Sequence, residues 1–171
     1  MSNFSGKRPQ EDLITSAVFG SVNLLPPSQR EQALSFVIGP AWQETGFTRS
    51  SRQTEIAFWP GLSGLGYRTK VEPDILLTKE GKTIVVEVKW HAKLSHQQIE
   101  QQIEAAKTCG HDVVAAVLLG EAGMSEVANS TPCFKRTWRD VSREMRNNDA
   151  IFKNDPLLKN WSNVMFRFLQ Q

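Results

Sequence analysis

The sequence predicts an α/β fold, a central sheet covered by helices, and three observations predict it. Apolar residues recur at helical spacing near both ends of the chain. Residues 71–90, VEPDILLTKEGKTIVVEVKW, read as two strands around a Glu80-Gly81 turn, and residues 113–120, VVAAVLLG, form a continuous apolar run of strand length. A chain of 171 residues with 40% hydrophobic content suits one domain with a sizeable core. Within it, residues 1–10 read as a polar arm, 11–119 as the core and 120–171 as a C-terminal helical extension.

From Glu11 to Leu25, Ile14, Val18, Ser21 and Leu25 keep helical spacing, and Pro26-Pro27 stops the helix. Ser28 and Glu31 stand as a capping box for a second helix, which Gly39-Pro40 ends near Ile38. FTRSSRQTEIAFW, residues 47–59, begins polar and ends with strand-like alternation, and the glycine-rich PGLSGLGYRTK reads as a loop into the hairpin. Beyond the hairpin, Ser95 and Gln98 repeat the capping-box spacing. The helix they open runs to Cys109, with Ile99, Ile103 and Ala106 on one face and Gly110 as its stop. The apolar run at 113–120 is a strand covered on both faces. Two further helices are expected, one around FKRTWRDVSREMRN, residues 134–147, and one from Pro156, capped by Asp155.

Bulk composition excludes several classes. A formal charge of +2 is too small to announce a nucleic-acid partner, so any such case rests on local clustering. Cys109 and Cys133 have no metal-type spacing, no apolar leader follows the opening residues and no run reaches membrane-spanning length. The expectation is a reduced, soluble, cytoplasmic protein.

The hairpin raises the chemical question. With Glu80-Gly81 as a two-residue turn, Lys79 pairs with Lys82, and counting back along both strands sets Asp74 opposite Glu87. Alternation then places Glu72, Asp74, Glu87 and Lys89 on one face, with Val71, Ile75, Leu77, Ile84, Val86, Val88 and Trp90 on the other. Two ionised carboxylates about 5 Å apart repel by roughly 3 kcal/mol at an effective dielectric near 20. Lys89 supplies one offsetting charge, and a divalent cation between the carboxylates would supply two. Oxygen ligands with no aligned histidine or cysteine suit magnesium or manganese better than zinc.

Pro73-Asp74 on one strand, followed across the hairpin by Glu87-Val88-Lys89, resembles the signature of the PD-(D/E)xK nuclease superfamily. The element order over residues 11–119 is similar to that family's αβββαβ core. The resemblance implies a restriction-endonuclease-like fold, a mixed central sheet flanked by helices, here with two extra C-terminal helices. It also implies metal-dependent hydrolysis of DNA, with Asp74, Glu87 and the Val88 carbonyl holding Mg2+, or Mn2+ in its place. Lys89 would orient the attacking water or stabilise charge on the phosphate. Members often carry a glutamate on the first helix, and Glu11, one turn before Ile14, is similar in position, with Asp12 as its neighbour. Many also carry a glutamine on the helix after Glu-x-Lys. Gln98 and Gln102 share a face there, and because Gln98 has a competing capping role, Gln102 is the expected one. Ala106 stands where the family's usual aromatic would follow.

Arg49, Arg52, Tyr67, Arg68 and Lys70 lie in sequence where they would frame the charged end of the hairpin and track phosphates. The basic residues Lys135, Arg139, Arg143 and Arg146 read instead as the solvated back of a packed helix. His91 and His96 receive no role, and Trp59, beside Pro60 and the loop, is the tryptophan of interest. The expected activity is a Mg-dependent deoxyribonuclease, as a homodimer or as a subunit of a repair, restriction or phage-defence assembly. The alternative is a catalytically silent module of the same fold that binds DNA or a protein.

Overall fold

In the computed structural model, which describes residues 8–49, 52–63, 70–90, 94, 97–120 and 131–169, the chain opens with helix α1 (Arg8–Thr15). A π-helical turn, Ser16–Gly20, carries it into α2 (Ser21–Asn23), so the first periodic segment is helical with a bulge inside it. Helix α3 (Pro27–Ile38) starts on Pro27, whose missing N–H matters least in a first turn. The Ser28–Glu31 capping box does not form. Ser28 Oγ donates to Gln29, while Glu31 turns inward to Thr54 and Lys79. Gly39, at φ 66°, does end α3 at Ile38 as expected, and Pro40, again in a first turn, opens a separate helix α4 (Pro40–Glu44).

After a 3-10 turn, Phe47–Arg49, comes strand β1 (Glu55–Phe58). The glycine-rich segment, read from composition as loop, contains a small ribbon of β2 (Leu62–Ser63) and β3 (Lys70–Val71). Then come β4 (Ile75–Lys79) and β5 (Lys82–Val88), helix α5 (Gln98–Thr108) and β6 (Asp112–Gly120). The chain closes with β7 (Cys133–Thr137), α6 (Trp138–Asn147), α7 (Asp149–Asn154) and α8 (Pro156–Leu169). Asp155 Oδ1 accepts from the Leu157 and Leu158 N–H groups, which is the expected cap. No helix among the described residues is long and apolar enough to cross a membrane.

The five-stranded sheet has the order β1-β4-β5-β6-β7. Its β1/β4 and β4/β5 pairs are antiparallel, whereas β5/β6 and β6/β7 are parallel. It is therefore the mixed central sheet that the resemblance implies. Lys79 pairs with Lys82 across Glu80 and Gly81, whose φ values of 50° and 81° match a type I′ turn. One face, with Ile75, Leu77, Ile84, Val86 and Val88, packs on the helices before β1 and after β7. Leu76, Val85, Ala116 and Leu118 on the other face pack on Ile99 and Ile103 of α5. Val71 joins this second layer, not the first as alternation along one continuous strand suggests, because it belongs to the separate β2-β3 ribbon.

The C-terminal part also departs from expectation. Residues 134–137 are strand, not helix, since β7 finds backbone partners along β6 and Thr137 forms a reciprocal capping box with Asp140 that starts α6 at Trp138. Trp138, Val141 and Met145 are buried, leaving Arg139, Arg143 and Arg146 outward on a packed helix. Buried Arg136 ties β7 to the helices, donating to the Phe36 carbonyl at 2.6 Å and to Glu144 at 2.5 Å. Its guanidinium occupies the space beside Gly39, whose φ is +66° and where a Cβ would lie 1.9 Å from Nη1. We expect Gly39→Ala to cost about 2 kcal/mol or more, from the positive φ and the displaced guanidinium together. Chemical denaturation checks this, and a midpoint equal to that of the unsubstituted protein would contradict it.

Candidate active site

The hairpin ladder ends with Ile75 paired to Val86, and Asp74, the residue before β4, lies close enough to Glu87 to feel its charge. Asp74 is fastened from both neighbouring strands. Its carbonyl accepts from Trp59 N–H at 2.9 Å, and its Oδ2 accepts from Val88 N–H at 2.7 Å. Trp59 reaches it through a φ of 44°, unusual for a non-glycine residue.

Glu87 is 2% exposed and accepts from three donors among the described residues. Its Oε1 accepts from Lys89 Nζ at 2.8 Å and from Gln98 Nε2, and its Oε2 accepts from Gln102 Nε2 at 2.6 Å. Lys89 lies just past the end of β5, where its N–H donates to Leu119 O at 2.7 Å, and its ammonium is also 3.5 Å from Glu11 Oε2. Glu11 comes from the opposite helical layer, and its Oε1 accepts from Trp90 N–H at 3.2 Å. Asp12 beside it is exposed. Helices α1 and α5 thus meet at the carboxyl end of β5, and the sheet holds the two acids between them.

The structure brings Glu11, Asp74, Glu87, Val88, Lys89 and Gln102 together. Gln98 joins them where the capping pattern assigns it elsewhere. Helix α5 has no side-chain cap at Gln97, and the Gln98 amide goes to Glu87. Ser95, His91 and His96 lie outside the described residues. The signal for Gln98 is its four-residue spacing from Gln102, which sets both on one face.

Charge is unevenly balanced here. Burial, then the neighbouring Glu87 charge, pushes the Asp74 carboxyl from 3.8 up to about 8, against the opposing pull of the Val88 N–H and Lys89. For Lys89, burial lowers the pKa, but Glu87, Glu11 and Asp74 outweigh it and keep the ammonium charged. Among the described residues no three His, Cys, Asp or Glu side chains are grouped to hold a metal by themselves. Asp74 and Glu87 nevertheless fit a small hard cation. Magnesium takes one or two carboxylates and keeps several waters, and the Glu87 charge beside Asp74, which adds to burial in raising its pKa, is one that a cation would relieve.

The residues expected to track phosphates divide. Because β1 runs antiparallel to β4, with Glu55 opposite Thr78, the residues preceding β1 lie at the turn end of the hairpin, away from Asp74. Arg52 accordingly lines an open polar cleft of about 440 Å³ with Gln53, Glu55, Thr78, Glu80 and Gly81, not the site. Arg49 ends the 3-10 turn on the same approach. Tyr67 and Arg68 fall outside the described residues. Lys70, on β3 leading into Asp74, is exposed and forms a surface ion pair with Glu72.

No family model and no curated protein matches the chain. Among solved structures, it is similar to a protein of unknown function designated AF1548, at 11% identity and TM-score 0.42, over 76% of this chain and 67% of that one. It is also similar to the small subunit of the heterodimeric restriction endonuclease R.BspD6I, at 12% identity and TM-score 0.35, over 92% of this chain and 88% of that one. At such low identity and partial superposition, what the site can do rests on its own geometry.

The raised Asp74 pKa has a consequence for stability. The folded state holds this proton more tightly than the unfolded chain, so the associated stability is present below the ordinary value of 3.8 and is lost as pH rises through about 8. Asp74→Asn, which has no proton to lose, is expected to gain on the unsubstituted protein across that range. Its melting temperature should exceed the wild-type value by at least about 4 °C more at pH 8 than at pH 4 in metal-free buffer. A gap independent of pH would contradict the raised value.

Proposed function

We propose that the protein is a metal-dependent nuclease that hydrolyses phosphodiester bonds of DNA. The supporting observation is that Asp74, just before β4, and Glu87, on β5, lie close together beside the Lys89 ammonium at the carboxyl end of β5. Asp74, Glu87 and the Val88 carbonyl would hold magnesium, for which manganese would substitute. Bound there, the ion supplies Lewis acidity at a phosphoryl oxygen and lowers the pKa of water.

The chain's own residues do the remaining work. Asp74, pinned by Val88 N–H, offers one carboxylate in a fixed orientation, and Glu87 offers the other from a buried position. Lys89 is the donor with freedom to turn toward a phosphate oxygen or a water, since its stem is long and its ammonium stays charged. Lys70 would meet the DNA backbone next to the site, because its exposed pair with Glu72 contributes little and exchanges readily for a phosphate. Further DNA contacts would come from a second copy or from other subunits of a DNA-processing assembly.

The three acceptor sites already taken on Glu87 favour a second reading, a silent DNA-binding module. Incubation with plasmid and single-stranded DNA in magnesium, with EDTA as control, separates the two. We expect cleavage that EDTA abolishes, and a loss of at least about 100-fold in Asp74→Ala and Lys89→Ala. DNA bound but left intact in both magnesium and manganese supports the silent module, and undiminished cleavage by either variant removes that residue from the reaction.

A further inference from the structure

Glu87 is held differently from the other charged groups of the site. Its three donors come from two sources of unequal mobility: Lys89 on a long flexible stem, and two amides from α5. Helix α5 is clamped to the sheet by Ile99 and Ile103, which are buried, and Gln102 is itself 2% exposed. The Gln102 amide therefore cannot withdraw without moving the helix, and the Gln98 amide reaches Glu87 from the partly buried first turn. A carboxylate has about four acceptor sites. Gln98 takes one on Oε1 and Gln102 one on Oε2, and Lys89 takes the second on Oε1.

The start of α5 is built around this contact at a local cost. Gln97 takes a left-handed conformation, φ 56°, without being glycine, and its own side chain makes no cap bond. Strain of this kind persists only where the surroundings enforce it. Here it coincides with the residue that delivers the Gln98 amide to Glu87.

We infer that Gln98 and Gln102 are positioning residues that fix the Glu87 carboxylate, and that a divalent cation reaches Glu87 by replacing the Lys89 contact alone. This rests on the metal-dependent reading above and adds which residues prepare the site for the ion. The amides present Oε1 in one orientation, and the ammonium marks the position the ion takes. A pair of neutral donors holds the carboxylate without cancelling its charge, which a lysine at either position would do.

Calorimetric titration of Mn2+ into the full chain tests this, with melting temperature in EDTA reporting whether each variant is folded. Gln98→Met keeps the length and apolar stem of a partly buried side chain and removes only its amide. We expect it to bind Mn2+ about 10- to 100-fold more weakly than the unsubstituted protein, the usual effect of losing a group that orients a ligand. Lys89→Met is expected to bind Mn2+ more tightly, since no ammonium competes for Oε1. A purely structural role for Gln98 would lower the melting temperature and leave the Mn2+ dissociation constant unchanged, which overturns the positioning role. Equal or weaker binding by folded Lys89→Met overturns the exchange. Absence of Mn2+ binding by the unsubstituted protein overturns the metal-dependent reading itself, and the inference with it.

Discussion

Everything at the site follows from the register of one hairpin. The type I′ turn at Glu80-Gly81 starts the pairing, but Lys79 does most to prevent a slip. Its ammonium is buried against Glu31 at 2.5 Å and the Phe47 carbonyl at 2.8 Å, with the Trp42 ring 5.5 Å away. Moving the strand by one residue toward the turn would bring Glu80 to Glu31 and set two carboxylates together in a buried place. Such an uncompensated charge costs several kcal/mol. With Lys79 fixed, Asp74 has nowhere to go but beside Glu87.

Covering both faces of the sheet sharpens that constraint. Glu87 cannot relax toward water, because Val85 before it packs under α5 and Val88 after it packs under the opposite layer. The charge is instead managed on the spot. Asp74 keeps its proton, Lys89 supplies a counter-charge shared between Glu87 and Glu11, and amides add further donors to Glu87. Two left-handed non-glycine residues, Trp59 and Gln97, flank this arrangement, one fastening Asp74 and the other delivering Gln98. Each costs roughly 1–2 kcal/mol. Strain placed on both sides of one carboxylate pair is what a preorganised site requires, whereas a core built only for stability gains nothing from it.

Local patterns carried the elements whose hydrogen bonds close locally. The hairpin turn, the strand at 113–120, the body of α5 and the Asp155 cap all follow from nearest-neighbour chemistry, and so does the nearness of Asp74 to Glu87. Glu31 and Gln98 stand at capping spacing, yet each is recruited by a charge far away in sequence: Lys79 for one, Glu87 for the other. A capping motif shows what a side chain can do, and a buried opposite or acceptor group outbids it. Strand β7 was illegible for a related reason. CFKRT has no strand-like alternation of its own, and only the free edge of β6 makes it extended. Arg52 illustrates direction: proximity in sequence to the hairpin says nothing about which end it reaches until the antiparallel sense of β1 is known.

The choice of amides on α5 separates a site from a repaired defect. Were the fold merely neutralising a misplaced acid, a lysine or arginine at position 98 or 102 would serve better, since a charged donor makes a stronger bond to a buried carboxylate. Glutamine gives hydrogen bonds and no charge. With Asp74 ionised, Glu11, Asp74 and Glu87 carry three negative charges against the single ammonium of Lys89. On the proposed metal-dependent reading, a divalent ion would offset that deficit of two charges. With Asp74 protonated, the deficit shrinks to one, and the cluster survives without the ion. Burial and repulsion would, on that proposed reading, let the Asp74 carboxyl hold the pocket together without an ion and give up its proton to one.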